Sequence, residues 1–127
     1  MVKVLLVALG GGVGSALRYL VSQWVQRLAG ETLPLGTLSV NVIGCLSIGV
    51  LAALFASPHA PREAYRLLFA VGVLGGFTTF SAFGMETFLL ASENQLFRSG
   101  LNLVLTNGLC LSAVWVGYRV AERFVAA

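Results

Sequence analysis

The chain has 127 residues, enough for one domain, and only 10% of them are charged, too few to cover the surface of a water-soluble globule. A mean hydropathy of +0.89 points instead to a chain embedded in lipid. The formal charge of +3 comes from scattered helix-end residues, which excludes a nucleic-acid partner from the reading.

Crossing a hydrocarbon core takes roughly 20 apolar residues. Four stretches meet that length, near residues 4–26, 36–56, 67–91 and 100–120. The expectation is an all-α membrane protein with one four-helix domain over residues 1–127 and short loops between the spans.

Span one opens on one lysine and an apolar run, as a cleaved leader would, yet the apolar pattern continues through Leu17, Leu20 and Val21 to Trp24. A retained first helix is therefore expected. Its "GGGVG" at residues 10–14 lacks the preceding strand of a dinucleotide loop. Gly10 and Gly14 instead make a small-xxx-small pair that lets two helices approach closely. Arg18 lies inside the span, either as an interfacial arginine that snorkels beside Tyr19 or as a functional vestibule charge.

Span two, "GTLSVNVIGCLSIGVLAALFA", carries no charge. Thr37 and Asn41 stand one turn apart and share a face with Gly44. An amide at that depth must face a neighbouring helix or an aqueous path. The loop that follows contains Pro58, His59 and Pro61. His59 reads as a solvated histidine without metal-ligand spacing, and Pro61 is placed to begin the next helix.

Span three holds "GGFTTFSAF", residues 75–83. Gly75 and Gly76 weaken a helix by about 1 kcal/mol each relative to alanine, so the expectation is an interruption near the middle of this crossing. Backbone groups freed at membrane depth are tolerated where they line a cavity or bind an ion. Beyond the glycines, Phe80 and Phe83 share a face, with Thr79, Ser81 and Glu86 on its polar flank.

Span four aligns Asn102, Thr106 and Cys110 at steps of four, a polar track along an apolar helix. Cys45 and Cys110 both fall within spans, where free thiols rather than a disulfide are expected. Four spans bring the termini to one side with Lys3, Arg62, Arg66, Arg119 and Arg123, which leans towards cytoplasmic termini. The imbalance is modest, and insertion in both orientations stays open.

"GGVGSALRY" (Gly11–Tyr19), "GTLSVNVIG" (Gly36–Gly44) and "GVLGGFTTFSAFGME" (Gly72–Glu86) together resemble the Fluc (CrcB) fluoride channel family, in order and over nearly the whole chain. The resemblance implies a passive, fluoride-selective channel of the bacterial plasma membrane that lowers cytoplasmic fluoride. It also implies an antiparallel, dual-topology homodimer with two pores along its interface. Fluoride and the lipid bilayer are the expected partners, and the function is not enzymatic.

By the same resemblance the pore is lined by Asn41, Phe80 and Phe83, and the residues themselves add Thr37, Thr79 and Ser81 as hydroxyl donors to an anion there. A structural sodium ion at the dimer centre would be held by the backbone carbonyls of Gly75 and Thr78, with Arg18 and Glu86 as vestibule or structural charges. Thr106 and Cys110 fall on the family's polar track, but the family commonly has a larger hydrogen-bonding residue and a hydroxyl there, with a further polar residue where this chain has Val114. A small, hard anion needs fixed donors to replace water, and phenylalanine rings offer a positive edge. The rival expectation is a small proton-coupled exporter with Glu86 as its exchanging carboxylate.

Overall fold

The structure is a computed structural model that describes residues 1–57 and 62–125. Pro58, His59 and Pro61 lie outside the described residues. Helix α1 runs Val2–Ala29 and stops at Gly30, whose φ of 78° favours glycine. The tight link to the next helix is held by Gln26: its Nε2 donates to the Leu33 carbonyl at 3.0 Å and its Oε1 accepts from the Gly36 N–H at 2.9 Å. Helix α2 is Leu35–Ala56.

The third crossing begins with Glu63–Tyr65, widens to π-helical turns over Arg66–Leu74, and returns to α-helix at Gly75–Phe77. These segments run on without an extended residue and are called α3 (63–77). Thr78 (φ −87°, ψ 156°) and Thr79 (φ −150°, ψ 122°) are extended. Helix α4 is Phe80–Ser92, and α5 is Leu96–Val125.

Four helical stretches are long and apolar enough to cross a membrane: Val2–Ala29, Leu35–Ala56, Glu63–Ser92 and Leu96–Val125. They overrun most of the expected span limits, because a helix can continue past the hydrocarbon into the interface. The chain is a multi-pass membrane protein. Its large apolar side chains point outward, among them Leu9, Leu20 and Trp24 on α1 and Val104, Leu111 and Trp115 on α5. That is the outward greasiness of a helix facing lipid.

What lies between the helices is small. A Cβ added at Gly14 would strike the carbonyl of Val73, and one added at Gly76 would strike the carbonyl of Gly11. Helices α1 and α3 thus touch backbone to backbone, the packing expected from the Gly10–Gly14 spacing. Helices α2 and α5 form the other intimate pair, with Gly49 against Val114 and Gly117 against Leu46.

Gly75 and Gly76 are themselves helical, so the glycines are not where the backbone extends. Gly76 serves the close approach to α1. The extended residues follow two positions later, where a side chain from α2 competes for the backbone.

Candidate functional site

That side chain is Asn41, 7% exposed on the inner face of α2. Its Nδ2 donates to the Thr79 carbonyl at 2.9 Å, and its Oδ1 accepts from the Thr79 N–H at 2.7 Å. A primary amide carries one donor side and one acceptor side, so it pairs with an extended residue as a neighbouring strand would. In a continuing helix the Thr79 N–H would go to the Gly75 carbonyl, and here it does not. Thr78 still donates its N–H to the Leu74 carbonyl at 3.0 Å, the last bond of the incoming helix.

Thr79 also starts α4. Its Oγ1 accepts from the Ala82 N–H at 3.2 Å, an N-cap, and lies 3.2 Å from Ser81 Oγ. The extended pair therefore ends one helix, opens the next and is pinned from the side.

Two cavities flank this junction, and they divide the residues singled out from the sequence. The first, about 350 Å³, is bordered by Asn41, Gly75, Thr78, Thr79, Phe80, Thr106 and Cys110. The second, about 540 Å³, is bordered by Arg18, Thr37, Thr79, Ser81 and Glu86. Thr79 belongs to both. Phe83 borders neither, although its ring centroid is 5.3 Å from that of Phe80 at an interplanar angle of 58°. The two rings have opposite surroundings: Phe83 is 3% exposed and Phe80 is 78% exposed.

In the second cavity the Thr37 hydroxyl donates to Glu86 Oε1. Glu86 Oε2 is buried and has no hydrogen-bond partner among the described residues. Arg18 does not pair with it. Its Nη1 donates to the Thr78 carbonyl at 3.4 Å, so the charge left open in the sequence reading is tied to the extended pair. The Ser15 hydroxyl reaches the Gly76 carbonyl at 3.5 Å. Hydroxyls, a guanidinium and a carboxylate thus border one cavity.

The polar track of α5 turns inward. Thr106, 6% exposed, donates to Asn102 Oδ1 at 3.4 Å, and Asn102 Nδ2 donates to Thr87 Oγ1 at 2.8 Å. The Ser99 hydroxyl donates to the Thr87 carbonyl at 2.9 Å, while the Thr87 hydroxyl donates to the Phe83 carbonyl at 2.7 Å. This polar lattice bolts α5 to α4 behind Phe83. Thr87 and Ser99 escaped the sequence reading, although Thr87 follows Phe83 by one helical turn and extends its row.

No group of three or more His, Cys, Asp or Glu side chains gathers among the described residues. A cation at this site would have backbone carbonyls as ligands. The Gly75 carbonyl has lost the Thr79 donor, which leaves it free of that bond for such a role. The Thr78 carbonyl already accepts from Arg18, which leaves one of its two lone pairs.

A family model described as CrcB-like protein, Camphor Resistance (CrcB) matches residues 5–118. A protein of Rhizobium etli called fluoride-specific ion channel FluC is 43% identical over 125 residues, covering 98% of this chain and 100% of its own. A protein of the same name from Rhizobium leguminosarum bv. trifolii is 47% identical over 120 residues, with 94% and 96% covered. One from Vibrio parahaemolyticus is 41% identical over 117 residues, with 92% of each chain covered.

Proposed function

The chain belongs to the CrcB-like protein family, and from that we propose that it is a passive fluoride-selective channel of the bacterial cell membrane. The observation that carries the reading is near-complete alignment, above 40% identity, with relatives named fluoride-specific ion channels. A transporter rather than an enzyme follows from the same membership. The name those relatives share does not favour a proton-coupled exporter built on Glu86.

The working unit is two antiparallel copies inserted in opposite orientations, and two fluoride routes run along the interface between them. Each third crossing is interrupted at Thr78 and Thr79. Export down the fluoride gradient lowers the cytoplasmic concentration. Phe80, exposed while bordering the first cavity, supports a lining shared with a second copy.

Fluoride sheds water only where fixed donors take its place. Asn41 keeps one N–H beyond the one given to Thr79, Thr79 and Ser81 have hydroxyls that rotate, and the Thr37 hydroxyl turns to fluoride only by leaving Glu86. The ring edge of Phe80 adds a weak positive contact, as conduction needs sites that bind without trapping. A sodium ion, a hard cation suited to oxygen ligands, would be held between the Gly75 and Thr78 carbonyls of the two copies. When bound it supplies positive charge at the junction and ties the two interruptions together.

The test is fluoride-electrode efflux from proteoliposomes, run beside chloride. Rapid fluoride loss driven by its own gradient, with chloride retained and no linked proton movement, is expected. Vesicles that hold their fluoride, or that release it only with proton exchange, reject the channel.

A further inference from the structure

Cys45 on α2 and Cys110 on α5 are both free and half-buried. Both border the 350 Å³ cavity. Their placement on the same wall follows from helix register. Asn41 and Thr106 border the same cavity one turn before them, and Gly49 meets Val114 backbone to backbone one turn after. Steps of four on both helices place the two thiols between an amide–hydroxyl layer and the point where α2 and α5 come closest.

We propose that Cys45 and Cys110 form a two-thiolate site for a soft divalent cation of the mercuric type, in the wall of this cavity. Three observations select that class. Sulfur ligands favour soft metals over the hard cations that carbonyls and carboxylates hold. No group of three His, Cys, Asp or Glu exists among the described residues, so the four-ligand shell that zinc requires is missing. Two thiolates on a divalent ion make a neutral complex, and a neutral complex avoids the cost of net charge in apolar surroundings.

The reaction balances without an oxidant. Two S–H bonds break, two S–Hg bonds form, and two protons leave to water. The product links α2 to α5 one turn from Asn41 and Thr106. If the channel reading holds, that link stops fluoride movement.

The test uses the full chain in detergent, reduced and then treated with Hg²⁺, followed by washing with an excess of a small monothiol. Washing strips singly held mercury and spares the doubly held ion. The expected result is one retained mercury per chain, lost in Cys45→Ser and Cys110→Ser and lost when wild type is alkylated beforehand. Alkylation of wild type keeps the test valid even if a serine variant fails to fold. Wild type that retains no more mercury than its alkylated form overturns the site. Retention is read without any flux, so a protein that holds mercury yet never carried fluoride would reject the channel and keep the site. In proteoliposomes, mercury-loaded wild type should lose fluoride efflux and regain it when a dithiol strips the ion.

Discussion

The side-chain amide of Asn41 bonds both the N–H and the carbonyl of Thr79, at 2.7 Å and 2.9 Å. One residue of α2 thereby does for Thr79 what a helix would otherwise do. Asn41→Ala removes both bonds and leaves two backbone groups without partners at membrane depth. At about 1–3 kcal/mol for each stranded group, the variant should lose roughly 2–6 kcal/mol in detergent unfolding. Asn41→Asp keeps the acceptor, loses the donor and adds negative charge beside the proposed anion route. It should carry fluoride more slowly than wild type; undiminished flux would remove Asn41 from the route.

Phe80 and Phe83 touch, but they should answer to the same change differently. Phe80 is 78% exposed, so Phe80→Ile should leave the fold of the chain unchanged while abolishing fluoride efflux. Isoleucine keeps bulk and loses the ring's charge distribution. Phe83 is 3% exposed behind the Thr87–Asn102 lattice, so Phe83→Ile should also lower stability, by about 1 kcal/mol. Normal efflux from Phe80→Ile would end the ring-edge account.

Two glycines of α1, two positions apart, make an internal comparison. Gly14→Ala places a methyl against the Val73 carbonyl, and backbone cannot yield as a flexible side chain can. A loss of about 1–3 kcal/mol is expected. Gly12 has nothing within 4 Å, so Gly12→Ala should be neutral or gain up to about 1 kcal/mol from helix propensity. Thermal unfolding in one detergent, with both variants side by side, reads the difference.

Thr37 supplies the hydrogen bond to Glu86 Oε1, and Oε2 has no partner among the described residues. Thr37→Val strips the carboxylate of that donor and should slow fluoride efflux. Thr37→Ser restores the hydroxyl and should recover most of it. Recovery by valine as well as serine would mean that shape, not the hydroxyl, matters at this position.

The four crossings were legible because hydrophobic length is a local property of the chain. The Gly10–Gly14 spacing likewise announced a close helix contact, and α1 meets α3 there. The place where the backbone extends was read two to three residues early. Propensity points at Gly75 and Gly76, but the competition that extends Thr78 and Thr79 comes from Asn41, far off in sequence. The inward turn of Asn102 and Thr106 was hidden for the same reason: periodicity shows that polar residues share a face, not what the face meets. Thr87, which takes the Asn102 bond, looked like one more hydroxyl able to satisfy itself on its own helix.

Helices α1 and α3 are clasped through glycines, and so are α2 and α5. The two couples are joined where Gly36 lies against Ser22, where the Thr87–Asn102 lattice ties α4 to α5, and where Asn41 holds Thr79. A shear of one couple past the other would strain these ties while leaving the seams within each couple intact. Motion inside the bilayer would therefore register at Thr79, a residue whose backbone donor and acceptor are both held by a neighbour's side chain.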